Sequence, residues 1–341
     1  MSDTQIYRII DVNLDRAGEG LRVLEEIARF VLGDPVLSAR FKEVRHNVAL
    51  RDMQAKITFL SSRDAACDVG ENIKTAFQFT PRHSLSEIAF ANARRAEESL
   101  RVLEEFAPSV KLNSQNYATA RYQLYTLEKD ILGQLSRHNK TQQISGLCVV
   151  VDTVLLRKQN ALEITAQILD SGAKMLQLCD NTIPKGELLE LACAIQKLCA
   201  AHNALFIVSD HLDIVLSSNA DGILLKQEDM PISIARRYLP LDKIIGCSIN
   251  TKSEAQKAQQ DGADYIVFEA GFGMLSRSEL PSVEPETIES IKQAVKLPLI
   301  AIGDIGLQNT ADVFRAGADA VAVSSTILSA SSPINTPLDL A

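Results

Sequence analysis

The sequence predicts an α/β protein in which a C-terminal (β/α)8 barrel, the TIM barrel, follows an all-helical domain built from an internal repeat. Two observations lead to this prediction. A sixteen-residue motif occurs twice in the N-terminal part of the chain, and eight short apolar runs alternate with helical patterns in the C-terminal part. The length of 341 residues allows two domains of ordinary size.

The repeat comprises residues 13–28, NLDRAGEGLRVLEEIA, and residues 92–107, NARRAEESLRVLEEFA, with eleven identical positions at an offset of 79. Apolar residues recur at helical spacing in both copies. Asn13 and Asn92 occupy places where an N-cap is expected. A second amphipathic stretch follows each copy. Residues 1–135 are therefore expected to form a helical bundle of two related halves.

Residues 136–146, SRHNKTQQISG, are polar and non-periodic and predict a linker to a second domain at 146–341. The predicted strands of that domain are LCVVVD (147–152), AKMLQLC (173–179), ALFIVSD (204–210), DGILLK (221–226), KIIGCS (243–248), DYIVFE (264–269), LPLIAIG (297–303) and AVAVSS (320–325). Nearly continuous apolar strands indicate a parallel sheet that is buried on both faces. Eight such units fit a closed barrel better than the alternative, a doubly wound open sheet.

Composition excludes several classes of protein. The net charge of −8 argues against a broad nucleic-acid surface. No apolar run reaches the length of a membrane span, and the N-terminus lacks a signal-type apolar block. The six cysteines form no C-x-x-C pair and indicate buried thiols in a reducing cytoplasm. We expect a cytoplasmic protein that binds small phosphorylated molecules but neither nucleic acid nor membrane. Whether the chain forms a homo-oligomer is left open by the sequence.

Polar residues end or follow every predicted strand. Because (β/α)8 barrels place their chemistry at the C-terminal ends of the strands, these residues predict a polar mouth. They are Asp152, Gln177, Asp180, Asn181, Ser209, Asp210, Lys226, Gln227, Asp229, Ser248, Asn250, Glu269, Gly303, Asp304, Ser324 and Ser325. Lys226 shares strand parity with Leu224, which predicts that the lysine points into the mouth.

Two subsets of this ring suggest a mechanism. Asp210 and Asp229 form a sparse carboxylate pair of the kind that holds Mg²⁺ together with phosphates and water, although helix capping is an alternative for each. The ends of strands seven and eight, at 303–304 and 324–325, are the usual phosphate cradle of such barrels. No Ser-His-Asp, H-E-x-x-H or Walker pattern appears.

The same stretches resemble thiamine-phosphate synthases. MLQLCDN, IVSDHLDIVLSSNADGILLKQED, IIGCSIN, EAQKAQQDGADYI, LPLIAIGDI and AGADAVAVSSTI follow in the family's order and spacing and cover nearly all of residues 146–330. The N-terminal half, with RIIDVNLDRAGEGLRVLEEIARFVL, resembles a hydroxymethylpyrimidine-phosphate kinase family that is often fused to this synthase. The first resemblance implies a Mg²⁺-dependent transferase. It joins hydroxymethylpyrimidine diphosphate to thiazole phosphate and gives thiamine phosphate and pyrophosphate.

The resemblance also implies roles for individual residues. Asp210 and Asp229 match the Mg²⁺ ligands, and Arg277 falls where the family has a diphosphate-binding lysine. Arg277 and Lys226 are the catalytic candidates, Lys226 because of its strand parity and charge rather than the resemblance. The substrate-binding candidates are Gln177, Asn181, Ser209, Ser248, Ser276, Asp304, Ser324 and Ser325. Among them, Gln177 matches the pyrimidine and diphosphate site, and Ser324 and Ser325 match contacts to the thiazole phosphate.

The chain departs from the family's pattern at charged positions. Cys179 and Asn181 stand where the family has an arginine and a lysine, and Asp304 replaces a glycine beside the phosphate. We expect Lys226, in place of another glycine, and Arg277 to restore part of the positive charge. Two alternatives stay open: a non-catalytic barrel that serves as a binding or assembly module for the N-terminal domain, and a barrel that acts on another phosphorylated ligand.

The N-terminal domain offers two sets of charged candidates. Four side chains of the repeat could bind a phosphorylated substrate between the copies, with surface ion pairs as the alternative: Arg22, Glu25, Arg101 and Glu104. A second set lies in the predicted loop SSRDAACDVG, which contains Arg63, Asp64 and Asp68.

Overall fold

The computed structural model describes residues 3–64, 84–152, 161–180, 182–269, 284–303, 305–306 and 309–324. The chain divides into two compact units, Met1–Ser136 and Arg137–Ala341. Among the described residues, no helix combines the length and the apolar character that crossing a membrane requires.

Within the described residues, the N-terminal unit consists of helices joined by short turns, and the last of these helices continues beyond Ser136. Its helices are α1 (Asp3–Glu26, followed by a π-helical turn, Ile27–Val31), α2 (Pro35–Val48), α3 (Met53–Ser61), α4 (Leu85–Phe106, followed by a 3₁₀ turn, Ala107–Val110) and α5 (Ser114–Gln142). Asp34, Asp52 and Ser84 cap α2, α3 and α4, since each side chain accepts hydrogen bonds from backbone amides of the first helical turn.

The two copies of the repeat lie on α1 and α4, which pack against each other. Gly20 permits the close approach, because a Cβ atom there would lie 2.7 Å from the backbone oxygen of Asn92. The expectation that Asn13 and Asn92 are N-caps is wrong. Both are buried in mid-helix, and each Nδ2 donates 2.8 Å to the carbonyl oxygen four residues earlier, because the helices begin upstream of the repeated motif.

The interpretation of residues 136–146 as a linker is also wrong, because helix α5 continues to Gln142. The polar character of this segment has another cause. Arg137 Nε donates to Asp264 Oδ1 at 2.8 Å and its Nη1 to the backbone oxygen of Leu241 at 2.8 Å, while Lys140 Nζ donates to the backbone oxygen of Asp242 at 2.9 Å. These polar side chains are bound within the barrel unit rather than exposed in a loop.

The C-terminal unit is a closed barrel of eight parallel strands in sequential order, which confirms the predicted fold class. The strands are β1 (Gly146–Asp152), β2 (Met175–Cys179), β3 (Leu205–Ser209), β4 (Gly222–Leu225), β5 (Ile244–Ile249), β6 (Tyr265–Glu269), β7 (Leu299–Ile302) and β8 (Ala320–Ser324). The helices between them are α6 (Ala161–Asp170), α7 (Lys185–Ala201), α8 (Leu212–Ser218), α9 (Ile232–Tyr238), α10 (Lys252–Asp261), α11 (Pro285–Ala294) and α12 (Thr310–Arg315).

Alternate residues of each strand enter two different cores. One set packs outward against the helices, for example Val149, Leu176 and Phe206, and the other fills the barrel interior, for example Met175, Ile207 and Leu224. This alternation fixes which residues at the strand ends face the mouth, because side chains two positions apart share a face.

Glycine at position 246 makes room for the largest interior side chain. A Cβ atom on Gly246 would lie 2.2 Å from Cζ of Tyr265, which is fully buried. The barrel floor is therefore a packed layer, and open space for a substrate can exist only at the mouth.

Candidate active site

Inward-facing polar residues ring the C-terminal end of the barrel. Gln177, Ser209, Lys226 and Glu269 each follow an interior apolar residue by two positions, as the strand parity requires: Met175, Ile207, Leu224 and Val267. Ser248 takes the same place on β5, where it is buried. The predicted inward direction of Lys226 agrees with its electrostatic effect on two inward positions, where its ammonium lowers the pKa of Cys179 on β2 and of Glu269 on β6.

A carboxylate pair and a lysine lie together above β3 and β4. Lys226 Nζ lies 3.4 Å from Asp210 Oδ2, and Asp229 Oδ2 accepts a hydrogen bond from the backbone amide of Lys226 at 2.7 Å. Asp210 has a left-handed backbone, with φ of 63°, which is uncommon for a residue other than glycine. Backbone strain of this kind tends to persist at functional sites.

The electrostatics of the pair favour a bound cation. Burial and the adjacent carboxyl group of Asp229 raise the pKa of Asp210 to about 6, and the Lys226 ammonium opposes that rise. Oδ1 of Asp210 is buried and has no hydrogen-bond partner among the described residues. Burial disfavours the charge on Lys226, but Asp210 and its neighbours raise the pKa of the lysine overall. Lys226 therefore stays charged in the site.

A second set of polar contacts lines the mouth across β2, β3, β5 and β6. Gln177 Nε2 donates to Ser209 Oγ at 3.0 Å, and both residues are buried. Gln227 Nε2 donates to the backbone oxygen of Ser248 at 2.7 Å. Burial raises the pKa of Glu269, while the Ser248 hydroxyl and Lys226 oppose the rise.

Glu269 and Gln227 belong to this mouth, although the family resemblance implies no role for either of them. Two features of the sequence could have placed these residues at the mouth: Glu269 has the inward parity of β6, and Gln227 follows β4 closely. Neither residue type by itself distinguishes a site residue from a solvated loop residue.

Cys179 occupies the inward position where the resembled family has an arginine. Burial raises the pKa of its thiol, and the nearby Lys226 charge lowers it. The positive charge near this position thus belongs to Lys226, which directly follows β4, and not to a residue of β2.

Several predicted residues lie outside the described part of the structure. These are Asn181, Ser276, Arg277, Asp304 and Ser325 in the barrel and Asp68 in the N-terminal unit. Ser324 is described as the last residue of β8, at the same end of the barrel as the other candidates.

A metal would depend on the carboxylate pair. Within the described ranges, no group of three His, Cys, Asp or Glu side chains could hold an ion on its own. Mg²⁺ is commonly held by one or two carboxylates together with phosphate oxygens and water, so Asp210 and Asp229 fit that ion when a phosphorylated substrate completes the ligand set.

The charged residues of the repeat form ion pairs within each half of the N-terminal unit. Glu25 is held by Arg22 of its own helix and by Arg45 of α2. Glu104 is held in the same way by Arg101 and by Arg121 of α5. Each pair of bridges links a repeat helix to the amphipathic helix beside it.

Comparison with known proteins assigns the family. Residues 147–327 match the family model described as thiamine monophosphate synthase. A thiamine-phosphate synthase of Prochlorococcus marinus subsp. pastoris is 36% identical over 97% of this chain and 93% of its own length. One of Nostoc punctiforme is 37% identical over 96% and 91%. This chain belongs to the thiamine-phosphate synthase family.

The remaining comparisons agree with this assignment. Residues 8–130 match the ThiD2 family. The solved structure of a thiamine phosphate pyrophosphorylase from Pyrococcus furiosus aligns with a TM-score of 0.52 and 31% identity, over 58% of this chain and 95% of that one. As a thiamine-phosphate synthase, the chain is a transferase of thiamine biosynthesis, and the alternative of a non-catalytic barrel is not favoured. The kinase activity of the N-terminal unit stays a prediction.

Proposed function

We propose that the barrel mouth joins hydroxymethylpyrimidine diphosphate to thiazole phosphate with Mg²⁺, and that Asp210, Asp229 and Lys226 bind the diphosphate end. The observation that carries this proposal is the convergence of two carboxylates and a lysine at the ends of β3 and β4. A lone carboxylate pair would repel a diphosphate, whereas the pair with a divalent cation and an ammonium attracts it.

The reaction breaks the C–O bond between the pyrimidine methylene and pyrophosphate, and the thiazole ring nitrogen forms the new C–N bond. The bonding electrons of the C–O bond leave with pyrophosphate. The thiazole ring nitrogen attacks through its lone pair and carries no hydrogen, so no proton has to be removed from it. Bound Mg²⁺ would supply positive charge to the leaving group. The protein's task is to stabilise that developing negative charge and to hold the nucleophile in line.

Lys226 is placed to stabilise the leaving group. Its 3.4 Å separation from Asp210 Oδ2 is long for a charge-assisted hydrogen bond, and 37% of the side chain is exposed. The ammonium can therefore turn towards a diphosphate without first breaking a strong, buried ion pair. The same ammonium lowers the pKa of the Cys179 thiol. This effect supports the idea that Lys226 supplies positive charge at a position where the family has an arginine.

Gln177 and Ser248 are proposed to bind the organic part of the substrate. The Ser209 hydroxyl accepts one amide hydrogen of Gln177, which orients the side chain and leaves its carbonyl oxygen for a ring substituent. Glu269 lies beside Ser248, and its raised pKa makes it a candidate to face an uncharged or amino-bearing ring rather than a phosphate. The thiazole phosphate is assigned to the ends of β7 and β8, as in other (β/α)8 barrels.

The test is Mg²⁺-dependent formation of thiamine phosphate and pyrophosphate by the full chain. We expect Asp210→Asn and Asp229→Asn to abolish turnover at ordinary Mg²⁺ concentrations, with an unchanged circular dichroism spectrum. Asp261→Asn removes an equal charge from the exposed end of α10 and is the matched control that should retain activity. Wild-type turnover in both mouth variants would refute the metal assignment.

A further inference from the structure

Helix α7 of the barrel unit has one face in the core and an opposite face that reaches the surface. Its buried residues recur every three or four positions: Leu188, Ala192, Ile195 and Cys199. On the opposite face, Glu190 and Lys197 are exposed and lie about two helical turns apart. Between them on this face are two small, half-buried residues, Cys193 and Ala194. The surface face of α7 is therefore a shallow stripe with opposite charges at its two ends.

An apolar groove of about 870 Å³ runs between this stripe and helix α6. Leu162 of α6 and Leu189 and Leu198 of α7 line it, and 37% of Leu162 is exposed. The groove lies on the outer wall of the barrel, away from the strand ends where such barrels bind their substrates. Grouped apolar side chains with charged residues around them mark a surface for another protein rather than an ordinary solvated face.

The two charged residues of the stripe have no ion-pair partner in the part of the chain that the structure describes. A partner on α7 itself would have to lie three or four positions away. Those positions hold no oppositely charged residue; they are Gly186, Glu187, Cys193, Ala194, Ala200 and Ala201. The charges of Glu190 and Lys197 are therefore available to a second molecule.

The order of residues along the stripe is complementary to itself. If α7 lies antiparallel to a second copy of α7, with a two-fold axis between Cys193 and Ala194, Glu190 faces Lys197 of the second copy. The same axis sets Leu189 opposite Leu198 of the second copy. Each contact occurs twice, because both copies present the same surface. A parallel pairing of the same faces would instead set Glu190 against Glu190, which is unfavourable.

The centre of the stripe allows two helices to come close together. Packed helices have axes about 8–10 Å apart, and the separation depends on the side chains at the contact. Cys193 and Ala194 occupy little of this space, so the leucines beside them can enter the groove of the other copy. Steric fit and charge thus favour the same antiparallel arrangement.

We propose that the stripe on α7 and the groove beside it join two copies of this chain in a symmetric dimer with antiparallel α7 helices. A second copy is the partner because one two-fold axis satisfies both unpaired charges and pairs the leucines beside them. A contact of this size is small for a stable complex, so we expect a dissociation constant on the order of micromolar. The interface does not depend on the function proposed for the barrel mouth.

Cys193 allows the arrangement to be measured directly, since the axis brings the Cys193 side chains of the two copies together. The structure describes this residue as a half-buried free cysteine. A short bis-maleimide added to the full chain should therefore give a covalent dimer, and Cys193→Ser should give none. No covalent dimer in the wild type, or an equal yield in Cys193→Ser, would contradict the antiparallel pairing.

Charge reversal tests whether Glu190 and Lys197 face each other. In sedimentation equilibrium of the full chain, Lys197→Glu should raise the dissociation constant at least about tenfold, because it sets two glutamates against each other. Adding Glu190→Lys restores opposite charges in reversed order and should return the constant close to that of the wild type. Lys257→Glu makes the same charge change on the exposed surface of α10 and is the matched control.

These substitutions lie on the outside of the barrel, so the circular dichroism spectrum and the formation of thiamine phosphate per chain should be unchanged. Three results would overturn the proposal. A wild-type chain that stays monomeric at about 100 μM forms no such dimer. A dimer that Lys197→Glu does not weaken uses a different surface. A dimer that Lys197→Glu weakens and the double substitution does not restore lacks the proposed pairing of Glu190 with Lys197.

Discussion

Replacing Lys226 with methionine removes the charge from the carboxylate pair while keeping the length of the side chain. The lysine is an inward-facing cation at the mouth, next to Asp210 and near Cys179. If it binds the leaving group, its removal should weaken binding of the diphosphate substrate. It should not weaken binding of Mg²⁺ alone, because the ammonium and the metal compete for the same carboxylate.

The expected size follows from the exposure of the side chain. A hydrogen bond to a charged group contributes about 1.5–3 kcal/mol when one partner is removed. Because 37% of the Lys226 side chain is exposed, solvent screens part of this interaction. We therefore expect a loss at the lower end of the range, about 1.5 kcal/mol or roughly tenfold in affinity.

Calorimetric titration of Lys226→Met with hydroxymethylpyrimidine diphosphate in the presence of Mg²⁺ measures this loss directly. Titrations with Mg²⁺ alone and with thiazole phosphate provide internal references that should change much less. Lys197→Met, which removes an exposed lysine from α7, controls for the change in net charge. The reasoning is refuted if diphosphate affinity is unchanged, or if Mg²⁺ affinity falls by the same factor, since the lysine would then shape the carboxylate pair rather than bind the leaving group.

Two further predictions concern stability. Burial and the neighbouring Glu128 raise the pKa of Glu97 from 4.5 to about 7, against the pull of Arg94, so the folded state retains a proton that the unfolded state releases. The resulting stability is present below pH 4.5 and is lost as the pH rises through 7. Urea unfolding should give a free energy that falls by up to about 3 kcal/mol between pH 5 and 8 in the wild type and much less in Glu97→Gln. In the barrel, Gly246→Ala should lower that free energy by about 1–3 kcal/mol, because the added methyl group overlaps the Tyr265 ring, and an unshifted urea midpoint would show that the interior layer is loosely packed.

The barrel could be predicted from the sequence because its strands are short apolar runs and their side chains alternate strictly. Every predicted strand overlaps an observed one, and the parity that places Leu224 inside also places Lys226 at the mouth. The predicted pairing of Asp210 with Asp229 follows from the same rule, since the ends of adjacent parallel strands meet at one edge.

Other features depend on contacts that a one-dimensional pattern does not contain. The polar side chains of Arg137 and Lys140 make the end of α5 resemble a linker, and only the fold shows which oxygen atoms satisfy them. The N-cap predicted at Asn13 is wrong for a related reason: a motif repeated within a helix does not mark where the helix begins.

The difference between Gly18 and Glu97 is visible when the two copies are aligned, and the fold gives it a physical meaning. The residues that both copies retain have the same spacing, which predicts that α1 and α4 pack in the same way. A substitution confined to one face therefore indicates that this face makes different contacts in the two helices. On α4 this face contacts Glu128. Because Glu97 and Glu128 are buried side by side, their negative charges must be offset by a shared proton or by a nearby cation. On α1 no protein atom of the described residues takes that place. The duplicated helix thus has a face that side chains pack on α4, whereas the equivalent face of α1 is open beside Asp15 and Arg63.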